Sequence, residues 1–83
     1  MHYDLRFKPR AVRDLERLPR PLAQRVIAKI EAMREDLHGD VKRLTNFSPE
    51  YRLRVGDYRV LFDLESSNVI IYRVIHRRDA YGR

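Results

Sequence analysis

Three arginines and a basic tail are the residues in this chain whose types and spacing offer chemistry. Arg52 and Arg54 precede Gly56-Asp57 and Arg59 follows it, within YRLRVGDYRVLF, Tyr51 to Phe62. Guanidinium groups suit phosphate, because they present parallel N–H donors and keep their charge. The second group is His76, Arg77, Arg78 and Tyr81 in the closing HRRDAYGR. Histidine is the side-chain type near this cluster whose intrinsic pKa suits proton transfer at neutral pH. A tyrosine four residues past Arg77 can stack on a nucleobase, which contributes about 1–3 kcal/mol per base without sequence readout. Each feature also has a plainer reading: a solvated outer sheet face, a histidine ending a strand, a basic terminus. The sequence holds no P-loop, GxGxxG, HExxH or acidic metal cluster. Histidines at 2, 38 and 76 are too scattered for a metal site. No metal and no cofactor are expected.

The element that positions the arginines is a hairpin. Gly56-Asp57 reads as a two-residue turn, and glycine at its first position suits type II′. That length sets Val55 against Tyr58, Arg54 against Arg59, Leu53 against Val60 and Tyr51 against Phe62. One face then carries Tyr51, Leu53, Val55, Tyr58, Val60 and Phe62, a core face. The other carries Arg52, Arg54, Arg59 and Leu61. Arginines directly opposite each other repel. No acidic residue on that face relieves them, so an anion from outside is expected.

The remaining elements supply the support. Tyr3, Leu5 and Phe7 alternate with polar residues and predict a strand over Met1 to Phe7. Pro9 suits the first turn of a helix, with Val12, Leu15 and Leu18 as its apolar stripe. Pro19-Arg20-Pro21 ends it near Leu18. A second helix follows from near Pro21, with Leu22, Val26, Ile30, Met33 and Leu37 buried and Gly39 as its stop. Gly39 to Glu50 reads as loop, with Val41, Leu44 and Phe47 inward and room for a short edge strand from Val41 to Thr45. Ser66-Ser67-Asn68 is a turn. Val69 to Ile75 is apolar on both faces and predicts a central strand. The register across this second turn stays open. A three-residue loop puts Arg73 on the arginine face; a two- or four-residue loop puts Tyr72 and Val74 there. The tail is long enough for a single helical turn. The whole predicts a two-layer α+β domain spanning 1–83: an N-terminal strand, a two-helix hairpin, then an antiparallel sheet of three or four strands.

Composition sets the bounds. Eighty-three residues make one domain with a modest core. The net charge of +6 is spread along the chain, +3 in residues 1–50 and +3 in 51–83, so any focus must come from folding. The absence of cysteine excludes disulfides and thiolate metal sites. With no apolar run approaching the ~18 residues of a membrane span, no membrane association and a cytoplasmic location are expected.

LERLPRPLAQRV, YRLRVGDYRVLF and the closing VIHRRDAY together resemble the RelE/ParE superfamily of type II toxin–antitoxin toxins, over nearly the whole length. The resemblance implies a single RelE-like domain held inactive by a cognate antitoxin, meeting operator DNA only through that complex. RelE-like members enter the ribosomal A site and cut mRNA there; ParE-like members inhibit DNA gyrase. The HRRDAY ending is more similar to the ribosome-dependent RNases. In such a reaction the 2′-OH attacks the adjacent phosphate and no metal is required. The resemblance then implies that Arg59, with Arg54 and Arg52, stabilises the phosphorane, that His76 acts as base or acid, that Arg77 holds a phosphate and that Tyr81 stacks on or orients the nucleotide. Arg52, Arg54, Arg59, Arg77, Arg78 and Tyr81 form the implied RNA-binding set. Arg52 and Arg54 stand where some RelE-like toxins have lysines. Arginine does not shuttle protons, so these two are not the expected base. Two alternatives accompany this reading: a gyrase inhibitor, and a catalytically weak antitoxin-binding paralogue.

Overall fold

A computed structural model describes residues 1–80; Tyr81 and the two residues after it lie outside the described part. The elements are β1 (Asp4–Phe7), α1 (Pro9–Glu16), α2 (Arg20–Ala32), β2 (Val41–Arg43), β3 (Tyr51–Val55), β4 (Tyr58–Glu65), β5 (Asn68–His76) and α3 (Arg77–Ala80). The five strands form one sheet in the order β1-β5-β4-β3-β2. β2 to β5 pair antiparallel, and β1 joins β5 in parallel. The expected α+β arrangement is present, with the first strand added to the antiparallel sheet through the helical crossover. None of the described helices is long and apolar enough to cross a membrane.

Helices α1 and α2 cover one face of the sheet. Val26, Ile30 and Met33 from the second helix are fully buried, with Leu53, Val60, Phe62, Val69 and Ile71 from the sheet. In α1, Ala11 makes the closest approach. Its small side chain lets the helix lie near the edge of β5, and Leu15 and Leu18 pack half-buried beside it. Val12, expected in the core stripe, is 41% exposed instead.

Two boundaries differ from the apolar pattern. The stripe from Leu22 to Leu37 predicts helix throughout, yet α2 ends at Ala32. The chain before β1 takes over there: Tyr3 N–H donates to the Arg34 carbonyl at 2.7 Å and Asp36 N–H to the Met1 carbonyl at 2.8 Å. Asp36 and Leu37 then turn through positive φ. Gly39 therefore is not the helix stop. It sits at φ +131° with its Cα so near β3 that a Cβ would fall 2.9 Å from Leu53 Cδ1.

The hairpin has the expected register, pair for pair, from Tyr51↔Phe62 to Val55↔Tyr58. Gly56 takes φ +58° while Asp57 does not enter the positive region, as a type II′ turn requires. The second turn is the two-residue Ser66-Ser67, and Asn68 already pairs with Glu65. A bulge then intervenes: Phe62 faces Ile71 but Leu61 faces Arg73. The extra residue, Tyr72, returns Arg73 and Ile75 to the face of Arg59, and Val74 to the core. The bulge was absent from the loop-length choices that left this register open.

Candidate nucleic-acid interface

The sheet face away from the helices is electrically divided. Strand pairing places side chains in rows across it. Nearest the Gly56 turn, Arg54 lies opposite Arg59, and Arg59 opposite Ile75. The next row runs Lys42, Arg52, Leu61, Arg73. Further on, Asp63 pairs with Ile70 and Glu65 with Asn68, and Asn68 with Asp4 of β1. Cations thus predominate at the Gly56 end and acids at the Ser66 end, where Arg6, paired with Ile70, is the cation among Asp4, Asp63 and Glu65. Lys42 joins the cationic half from β2, a strand too short for sequence alternation to have placed it.

The connection between β2 and β3 lies over the middle of this face. Leu44 N–H donates to the Glu50 carbonyl at 2.6 Å, which closes the loop. Glu50 N–H donates to Asp63 Oδ1 at 2.6 Å, and Pro49 lines a cleft with Tyr72 and Arg73. This accounts for the burial of Leu61 and Ile70 on a nominally outer face. Phe47, expected to tuck inward, is 44% exposed. The end with Arg54 and Arg59 remains open.

The three hairpin arginines are not equivalent. Arg52 Nη1 donates to the Asp40 carbonyl at 2.8 Å and to Asp40 Oδ1 at 3.1 Å, and its side chain is only 15% exposed. It ties the turn before β2 to the sheet. Arg54 is 57% exposed, with Nη1 3.9 Å from Asp40 Oδ2. The expectation of a face without acidic relief is corrected here: Asp40, brought in by the turn before β2, serves both arginines. Arg59 has no such partner. Its Nη1 donates to the carbonyls of Gly56 and Tyr58, both at 3.0 Å, and among the described residues it forms no ion pair. The guanidinium is thus held against the turn by neutral acceptors, with its charge uncompensated.

The tail folds onto the same end of the sheet. Arg77 N–H donates to the Asp57 carbonyl at 2.7 Å, so α3 begins beside the hairpin turn. Arg77 and Arg78 are exposed and Ala80 is buried. His76 pairs with Tyr58, and their rings meet edge to face at 5.4 Å between centroids. That puts the imidazole on the helix side of the strand, across the sheet from Arg54 and Arg59. Its Nδ1 accepts the Arg78 N–H at 3.3 Å, which in the neutral ring leaves the proton on Nε2. The fold therefore brings Arg54, Arg59 and the start of α3 to one end, with His76 on the reverse side of it. Tyr81 lies outside the described residues.

Residues 5–81 match the family model described as "ParE toxin of type II toxin-antitoxin system, parDE". The chain belongs to the RelE/ParE superfamily of type II toxins. Among curated relatives of this toxin, RelG of Mycobacterium tuberculosis is 36% identical over the full length of both chains. RelE3 of Methanocaldococcus jannaschii is 32% identical, covering 84% of this toxin and 85% of that protein. A solved toxin–antitoxin complex from M. tuberculosis, RelBE2, contains a chain that superposes with a TM-score of 0.79 at 28% identity, over 93% of this toxin and 100% of that chain.

Proposed function

We propose that this toxin is an endoribonuclease of the cytoplasm that cuts mRNA in the ribosomal A site and is held in check by a cognate antitoxin. The observation that carries the reading is the Arg54–Arg59 pair: two arginines at directly paired positions at the open end of the sheet, Arg54 with one carboxylate at 3.9 Å and Arg59 with none among the described residues. Like charges at paired positions repel; Asp40 relieves Arg54 only at 3.9 Å and leaves Arg59 uncompensated, so an anion bound beside Arg59 is favoured. The curated relatives are RelE-type toxins by name, and a related chain was solved with its antitoxin. Operator DNA would be met only through the antitoxin complex.

In this reaction the RNA supplies its own nucleophile. The 2′-oxygen bonds to phosphorus, the bond from phosphorus to the 5′-oxygen breaks, and a 2′,3′-cyclic phosphate remains. One proton leaves the 2′-oxygen and one reaches the 5′-oxygen; no metal is needed. Arg59 and Arg54 stabilise the charge that accumulates on the phosphorane, a role in which one positioned donor contributes on the order of 3 kcal/mol. Arg52 supports Arg54 through Asp40. Arg77 and Arg78, at the start of α3 beside the hairpin turn, hold RNA phosphates, and Tyr81 stacks on or orients the nucleotide. His76 is the proton carrier assigned here. Because its ring lies behind the Arg59 face, the scissile group must sit at the end of the sheet rather than over its middle. The ribosome, by fixing the mRNA, supplies orientation that a small open face does not.

The test is cleavage of a defined mRNA by the purified toxin, with and without paused 70S ribosomes. Cuts within the A-site codon that require the ribosome support the reading. The family model's own description, a ParE toxin, favours a second reading, inhibition of DNA gyrase. Absence of mRNA cuts together with loss of gyrase supercoiling would establish that one instead.

A further inference from the structure

Two adjoining concavities at the edge of β5 lie outside the Arg54–Arg59 end. One is a cleft of ≈ 470 Å³ lined by Lys8, Pro9, Arg10, Pro49, Tyr72 and Arg73. The other, ≈ 130 Å³, lies among Arg10, Arg13, Asp14, Arg17 and Arg73. They share Arg10 and Arg73.

The cleft is walled by flat apolar surfaces. Tyr72 is the bulge residue, displaced from the regular ladder; Pro9 opens α1 and Pro49 comes from the connection between β2 and β3. Lys8 Nζ stands 5.5 Å from the Tyr72 ring centroid, and it is an exposed side chain that an incoming ring can displace. The volume falls within the roughly 300–1,000 Å³ of small-ligand sites. Beside it, Arg10, Arg13 and Arg17 follow the spacing of one helix face. From Arg10 to Arg17 is roughly 10 Å along the axis, a span over which long guanidinium side chains can reach successive phosphates of one strand. Among the described residues that line the smaller concavity the one acid is Asp14, and Arg73 occupies it: Nε to Oδ2 at 2.8 Å and Nη2 to Oδ1 at 3.1 Å. Among the described residues Arg10, Arg13 and Arg17 form no ion pair. The stripe thus keeps its charge.

We propose that the Tyr72–Pro9–Pro49 cleft and the Arg10–Arg13–Arg17 stripe form a second subsite for single-stranded RNA, taking one base in the cleft and successive phosphates along α1. Flat apolar walls beside a row of guanidiniums suit a nucleotide, whose base and phosphate are separate; an acidic peptide needs only the charges. Position supports it as well. Arg73 occupies the sheet row next to that of Arg59, so a strand crossing the Arg59 end reaches the cleft by continuing over the edge of β5. The subsite rests on the mRNA reading above but is tested apart from it.

The experiment measures binding of a fluorescent, unstructured RNA 20-mer to the purified full chain by anisotropy, over a salt series, without ribosomes. Two variants are compared with wild type: Tyr72→Leu, and the triple Arg10→Gln, Arg13→Gln, Arg17→Gln. Thermal unfolding confirms that both are folded. The triple variant should lower the slope of log affinity against log salt by about 2, the loss of three single-strand phosphate contacts. Tyr72→Leu should keep the slope and weaken binding roughly 5- to 100-fold, the stacking of one base, yet leave binding of an abasic 20-mer unchanged. Failure of wild type to bind the 20-mer, or unchanged binding in both folded variants, overturns the subsite. Equal weakening toward RNA and toward a polyglutamate peptide overturns it in favour of an acidic protein segment. Altered RNA binding in a protein that cuts no ribosome-bound mRNA upholds the subsite while removing the RNase reading.

Discussion

Replacing Asp14 with asparagine removes a charge from the clasp that closes the free edge of β5. The Asp14 carboxylate accepts Arg73 Nε–H at 2.8 Å, Arg73 Nη2–H at 3.1 Å and the Val74 backbone N–H at 2.9 Å. Its side chain is 10% exposed and that of Arg73 29%, so water screens the pair only partly. An amide offers one accepting oxygen and no charge. Asp14→Asn therefore gives up at least one bond to the guanidinium and weakens the others from charge-assisted to neutral, about 2–3 kcal/mol together. A domain of this size has roughly 4–12 kcal/mol of stability, and each kcal/mol moves its midpoint by about 4–8 °C. A fall of roughly 8–24 °C at pH 7 is expected. The pH dependence makes the test sharper. Burial pushes the Asp14 carboxyl up, but the hydrogen bond from Arg73, that from Val74 N–H and the charges of Arg73 and Arg10 outweigh it, and the carboxyl ends below its ordinary 3.8. The stabilisation is present above that ordinary value and is lost as pH falls through the lower, folded one. Urea unfolding from pH 7 to pH 2 should show wild type and Asp14→Asn converging in acid. Equal stability at pH 7, or a gap as wide at pH 2 as at pH 7, would refute the clasp.

Four further substitutions separate structural from functional positions. Arg52→Ala should lower stability by about 1–3 kcal/mol, since it frees the mostly buried tie to Asp40, while the exposed Arg54→Ala should stay within roughly 0.5 kcal/mol of wild type; denaturant midpoints distinguish them. Gly39→Ala should destabilise by about 1–3 kcal/mol, because alanine is strained at φ +131° and meets Leu53. Ser66→Gly should raise the thermal midpoint slightly, by up to about 1 kcal/mol of stability, because Ser66 holds φ +55° in the Ser66-Ser67 turn; an unchanged or lower midpoint would place the strain elsewhere.

The hairpin was legible in the sequence because a two-residue turn determines every pair beyond it, including Arg54 opposite Arg59. Order and type of the main elements followed from alternation, helical spacing and the Pro19-Arg20-Pro21 break. What escaped depended on contacts between distant residues. The bulge at Tyr72 inserts one residue without any turn signal, and it decides where Arg73 points. Asp40 is twelve residues from Arg52 and reaches it only because the turn before β2 folds back. The early end of α2 reflects pairing with the chain's first residues, which outcompetes a continuing apolar stripe. His76 was near the arginines in sequence, but its pairing with Tyr58 puts it behind their face.

The central claim is that Arg59 stabilises charge formed on the scissile phosphate. Its most direct test is the single-turnover rate at which Arg59→Ala cuts mRNA on a programmed 70S ribosome, at saturating toxin, with ribosome binding measured in parallel. The account predicts a rate about 100- to 1,000-fold below wild type, nearly unchanged binding, and a 2′,3′-cyclic phosphate on the upstream product of the wild-type reaction. A rate at saturation equal to wild type, with any defect confined to binding, would contradict it.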